Sequence, residues 1–226
     1  MRGIRLVIAL ICFVSVSYGQ RDTLKSNKLS IEILPLSYLD DSPSYQFAVE
    51  IKLWHNFSAC LEGGGYFGLN KINWVIKELW GSRQTDIKGY LVKPEIKYYW
   101  NKENISTGFY VSIEGAYKKQ SYNWQDSIHL TPAYLTTFKE SKNVYWFDAK
   151  FGQSLIYKSG IIIDWYVGGG VRFKNITSTL TAQQAGALQY NDDSNYDSDG
   201  TGITVIPGKS IVPNLTAGFK IGYCIK

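Results

Sequence analysis

Gly160-Ile161-Ile162-Ile163-Asp164-Trp165-Tyr166-Val167-Gly168-Gly169-Gly170-Val171-Arg172-Phe173-Lys174 is the stretch on which the reading of the chain turns. Every second residue from Ile161 gives Ile161, Ile163, Trp165, Val167, Gly169, Val171 and Phe173, none of them charged. The opposite parity gives Ile162, Asp164, Tyr166, Gly168, Gly170 and Arg172, with an acid, a base and two glycines. A period of two marks a strand whose faces meet different surroundings. Here the apolar face runs for about the span of a bilayer and carries aromatics at its ends, the pattern of a transmembrane β-strand.

The same alternation recurs along the chain. It predicts strands over 29–38, 45–54, 57–66, 87–100, 106–117, 143–157, 160–174 and 211–225. In the second of these, Phe47, Val49, Ile51 and Leu53 share one face, while Gln46, Ala48, Glu50 and Lys52 share the other. Pro94 lies inside the fourth strand and removes a ladder hydrogen bond there. Connections after strands two, four and six are short, whereas 67–86, 118–142 and 175–210 read as long polar loops. Short turns at one rim and long loops at the other, with an even strand count, predict an all-β fold: an eight-stranded antiparallel up-and-down transmembrane β-barrel, both termini periplasmic.

Composition and the chain's start bound the function. Met1-Arg2-Gly3-Ile4-Arg5 is a basic opening, Leu6 to Val16 is apolar, and Ser17-Tyr18-Gly19 offers a small-residue cleavage site. The expectation is a signal peptide over 1–19 and one outer-membrane barrel domain over 20–226. Without Arg2 and Arg5 the formal charge falls from +5 to +3, and the basic residues are scattered, which argues against a nucleic-acid partner. After residue 19 no apolar run approaches the length of a transmembrane helix. Tyr (17), Gly (21), Phe (10) and Trp (7) are abundant, as aromatic belts on a β-barrel require. Cys12 falls within the signal; Cys60 and Cys224 read as free, small, inward-pointing residues.

The charges on the polar faces form the candidate site. The acids are Glu32, Glu50, Glu62, Glu95, Glu114, Asp148 and Asp164; the bases are Lys52, Lys93, Lys97, Lys150, Arg172 and Lys220. An eight-stranded barrel is just wide enough for side chains to fill, and charges packed there need partners. The near balance predicts a plugged lumen held by a structural ion-pair network of Glu50, Lys52, Glu62, Lys93, Glu95, Lys97, Glu114, Asp148, Lys150, Asp164, Arg172 and Lys220. Glycines at 64, 152, 168, 170, 218 and 222 would leave room for the long stems.

Taken together, the signal peptide, the eight amphipathic strands, the alternation of connection lengths and the ending Pro213-Asn214-Leu215 to Gly222-Tyr223 resemble the small eight-stranded outer-membrane barrels typified by the OmpA transmembrane domain and OmpX. The likeness covers nearly the whole chain after residue 19 and is architectural. It departs from the common pattern in ending on Ile225-Lys226 rather than an aromatic. It implies a Gram-negative outer-membrane location, contact with outer-membrane lipid and the barrel-insertion machinery, no cofactor, and a porin-like fold that is not an enzyme. The role implied is structural, or recognition of an extracellular ligand at loops 67–86, 118–142 and 175–210.

Two alternatives use the same residues differently. A soluble periplasmic lipocalin-like ligand-binding barrel would turn the apolar parity inward, and the alternation itself does not say which face is inside. A lipid-modifying outer-membrane enzyme would need His55 or His129, the latter in Asp126-Ser127-Ile128-His129, although loop residues this close in sequence rarely form a triad. Asn195, Asp197, Asp199 and Gly200 imitate the start of a calcium loop, but position twelve is Ile206 instead of Glu. The triple glycines open no helix, so they build no phosphate cradle.

Overall fold

Eight strands, each paired antiparallel to the next, close into a barrel when the last returns to the first. In the computed structural model they are β1 (Leu29–Ile33), β2 (Tyr45–Lys52), β3 (Phe57–Tyr66), β4 (Gln84–Tyr99), β5 (Gly108–Ile128), β6 (Tyr134–Ile156), β7 (Ile161–Ser178) and β8 (Gly208–Ile225). The structure describes residues 29–38, 44–54, 56–66, 84–100, 107–128, 134–179 and 208–225. The expected signal peptide, His55, His129 and the acidic tract 191–200 lie outside those residues.

Register fixes how the barrel closes. From Ile33 the pairing passes through Phe47, Gly63, Val92, Tyr117, Tyr145 and Phe173 to Ile211. The residue of β8 that pairs with Ile33 is Ile221, ten positions further along. Such a stagger is what tilts the strands against the barrel axis and sets its diameter.

Alternation then sorts the side chains. Phe47, Val49, Ile51, Leu61, Ile96, Ile113, Phe147, Val167 and Val171 are exposed on the outer wall, while Glu50, Glu62, Lys97, Glu114, Asp148, Asp164 and Lys220 are buried inside. The turn between β6 and β7 is closed by Gly160, at φ +90°, whose N–H donates to the Tyr157 carbonyl at 2.8 Å. Only a residue without Cβ takes that conformation cheaply. Pro94 has the effect its chemistry requires: the β4–β5 ladder breaks between Val92 and Glu95.

Three expectations are corrected. The stretch 118–142 is mostly strand: β5 runs to Ile128 and β6 begins at Tyr134, and the two pair along their whole length. Polar residues stand on both faces there, with Lys118, Gln120, Glu140 and Lys142 buried, so the period-two contrast in hydrophobicity vanishes although the strands persist. The loops 67–86 and 175–210 are shortened in the same way, because β4 starts at Gln84, β7 continues to Ser178 and β8 starts at Gly208. The first strand stops at Ile33 and passes into a single 3-10 turn, Pro35–Tyr38. Pro35 has no N–H to offer a ladder.

The wall is therefore uneven. β1 to β3 have 5, 8 and 10 residues, whereas β5 and β6 have 21 and 23. Among the described residues the β5–β6 hairpin rises furthest, since Gln125–Ile128 pair with β6 alone.

Candidate functional site in the barrel lumen

Most inward-pointing charges gather in three layers along the axis, and Lys118, Glu140, Lys142 and Lys174 are buried outside them. In the floor layer Lys97 of β4 lies 2.7 Å from Glu50 Oε2 of β2 and 2.7 Å from Asp164 Oδ2 of β7. Ser58 Oγ and Tyr99 OH donate to Glu50 Oε1 at 2.6 and 2.8 Å, and Tyr110 OH donates to Asp164 Oδ1 at 2.8 Å. The ammonium also stands 4.6 Å from the centre of the Tyr110 ring, a cation–π contact in a dry setting. One ammonium thus ties β2, β4 and β7 together.

The middle layer is a chain of alternating sign. Lys93 pairs with Glu62, and Lys220 lies 3.3 Å from Glu62 Oε2 and 3.5 Å from Glu95 Oε2. Lys150 pairs with Glu114 and lies 3.7 Å from Glu95 Oε1. Ser112 Oγ donates to Glu95 Oε1 at 2.5 Å, and Trp146 Nε1 donates to Glu114 Oε1 at 3.3 Å. The ring of Tyr166 sits beneath both Lys150 and Lys220, at 4.3 and 5.4 Å. Three acids thus face three bases, and buried charge is matched locally.

Above it, Asn214 Nδ2 donates to both Asp148 oxygens, at 2.8 and 2.6 Å, while Asn214 Oδ1 accepts from Arg172. The Arg172 guanidinium lies 5.7 Å from the Trp146 ring. An apolar cluster of Tyr66, Ile87, Leu91, Tyr122, Val144 and Trp146 then covers the charged layers.

Eleven of the twelve residues expected in the network lie in these layers; Lys52 is half-buried at the end of β2. The inward glycines make the predicted room, though partly for other residues. A Cβ on Gly218 would strike the Tyr166 ring, and one on Gly152 would meet the Tyr110 ring. Sequence reasoning passed over Asn214, Tyr99 and Tyr110 as site residues, and with them Lys118, Gln120, Glu140 and Lys142. Their inward parity was the available signal: Asn214 alternates with Leu215, and Tyr99 with Tyr98. Cys60 and Cys224 are buried and not joined in a disulfide.

Among the described residues the one acid cluster with metal-ligand spacing is Glu32, Glu50 and Asp164, with oxygens within 4.8 Å of one another. Comparison with models of known families, with curated proteins and with solved structures gave no match. The functional reading rests on the geometry.

Proposed function

We propose that the chain is an integral β-barrel of a Gram-negative outer membrane, of the architecture typified by the OmpA transmembrane domain and OmpX, with a lumen sealed by its own side chains. The observation that carries this is the sense of the alternation: the apolar parity faces outward and the charged parity inward. A water-soluble ligand-binding barrel has the opposite arrangement, because its outer wall meets solvent and its cavity meets an apolar ligand.

The outer wall has the dimensions of a bilayer contact. At one end lie Trp54, Phe57, Tyr98, Trp100, Phe109, Phe151 and Trp165 in linked ring contacts. At the other, Tyr117 packs against both Tyr90 and Tyr145. Tyr90 and Tyr98 are eight residues apart on β4, as are Phe109 and Tyr117 on β5. At about 3.3 Å per residue that is roughly 26 Å along a tilted strand. Between these rings the outward positions of β4 are Val92, Pro94 and Ile96, and those of β5 are Val111, Ile113 and Gly115. Strands of about nine residues between aromatic girdles, tilted by about 40°, span the apolar layer of an outer membrane.

On this reading both termini are periplasmic, the barrel-insertion machinery and lipid are its partners, and no step of chemistry is assigned to the lumen. The role is structural, or recognition at the outer rim, where the β5–β6 hairpin stands highest and the connections after β3 and β7 emerge. Cell fractionation followed by denaturing electrophoresis of unboiled and boiled samples tests it. The expected result is a membrane-bound protein whose mobility changes on boiling; recovery in the soluble fraction alone would sink the reading.

A further inference from the structure

We infer that the floor of the lumen is a proton-binding site and that Glu32, on the strand that closes the barrel, holds the proton. Glu32, Glu50 and Asp164 bring carboxyl oxygens within 4.8 Å of one another, all three buried. One ammonium, that of Lys97, is bonded to this group, at 2.7 Å from Glu50 and from Asp164. The hydroxyl donors are also spoken for: Ser58 and Tyr99 serve Glu50, and Tyr110 serves Asp164.

Glu32 stands apart. Its Oε1 accepts from Ser30 Oγ at 3.0 Å, but its Oε2 is buried with no hydrogen-bond partner, on a residue 2% exposed. The charged groups that act on it are Lys97 from β4, Glu50 from β2, Asp164 from β7 and Lys220 from β8. Lys220 is engaged elsewhere, with Glu62 and Glu95. From β3 and β5 the facing groups, Cys60 and Tyr110, are uncharged in their ordinary forms.

Were Glu32 ionised, three carboxylates would share one ammonium in a site closed to water. Buried charge left without a partner costs several kcal/mol per ion in such surroundings. A proton taken from solvent onto Oε2 removes one negative charge and turns the orphan acceptor into a donor beside two carboxylates. A metal ion is the poorer fit, because the Lys97 ammonium already lies between Glu50 and Asp164, where the metal would have to sit. The inference holds whichever solvent surrounds the barrel, so it does not stand or fall with the membrane reading.

Position gives the proton its consequence. Glu32 pairs with Ala48 of β2 and Gly222 of β8, and β1 makes only five such pairs on each side. A Cβ on Gly222 would run into the Glu32 stem, so the side chain lies tightly over the seam. Losing the proton places unmatched charge at the shortest strand, and the closure weakens as pH rises.

Infrared spectroscopy of the folded full chain tests this directly, through the carbonyl stretch of a protonated carboxylic acid. At neutral pH the band is expected in the unaltered protein and absent from Glu32→Gln. Thermal unfolding of the unaltered protein should move to lower temperature as pH rises from about 5 through neutrality and then level off, and Glu32→Gln should lack that step. A folded protein with no acid band, or a band that survives Glu32→Gln, overturns the proposal. Should Glu32→Gln fail to fold, the pH titration of the unaltered chain decides alone, since the band and the extra thermal stability must be lost over the same pH range. Stabilisation by added Na⁺ or Ca²⁺ at neutral pH would overturn it in favour of a metal ion.

Discussion

Lys97 and Asp164 meet across the lumen, Nζ to Oδ2 at 2.7 Å, from strands β4 and β7 that share no ladder. The same ammonium holds Glu50 of β2. Lys97→Met therefore strips the shared cation from two buried carboxylates at once. Removing one partner of a buried ion pair costs about 3–5 kcal/mol. Urea unfolding of the folded barrel should register a loss of that size, with the slope of the transition unchanged.

Neighbouring glycines in Gly168-Gly169-Gly170 should respond in opposite ways. Gly170 faces inward, where a Cβ would strike the Phe147 carbonyl and Asp148; Gly169 faces outward, and its nearest neighbour would be the Asn214 carbonyl at 3.3 Å. Gly170→Ala is expected to cost about 1–3 kcal/mol or to prevent closure, as overpacking does. Gly169→Ala should fold with little change. The unboiled gel band of each variant gives the answer.

Ile113 is 71% exposed on the outer wall, midway between the aromatic rings of β5. In lipid, Ile113→Arg should destabilise the barrel by about 2–4 kcal/mol, the cost of a basic residue at the bilayer midplane. On a soluble barrel the same change would be close to neutral. Reversible folding into lipid vesicles against urea measures the difference.

Both thiols should be silent until the barrel opens. Cys60 and Cys224 are 3% and 1% exposed and are not joined. A maleimide reagent is expected to label neither in the folded protein and both after boiling in detergent. Labelling of the folded form would mean that the lumen admits small solutes.

Ion pairing in two layers, with a hydrogen-bonded third above them, predicts an electrically quiet barrel. Reconstituted in a planar bilayer, the unaltered chain should give no resolved channel currents. Lys220→Ala, which removes the residue bridging Glu62 and Glu95, is the variant in which leakage would first be sought.

Much of this was legible in the chain, and the limits have physical causes. The bounds of β3 and the two faces of β7 follow from period two alone, because every charged residue there falls on one parity and none on the other. The extent of β5 and β6 did not, since Gln120, Glu140 and Lys142 occupy inward positions and make the upper hairpin look like a polar loop. Which face is inward is also invisible in an alternation, which reads the same from either side. The membership of the ion-pair layers was readable as a parity, but Lys97 reaching both Glu50 and Asp164 depends on the closure of the ring. Asn214 binding Asp148 from β8 to β6 depends on it equally, as the two strands are not neighbours.

The ten-residue offset between Ile211 and Ile221 makes the bore of this barrel a discrete quantity. A slip of one residue at the seam would set inward positions of one strand against outward positions of the other, so that either Lys220 or Glu32 would have to face outside, which the charges forbid. The next allowed offsets are eight and twelve, each with its own strand tilt and diameter. Between them lies no continuous path of slightly wider or narrower barrels. Any change in the aperture of this molecule must come as a jump in register, or from side chains moving inside a wall that keeps its size.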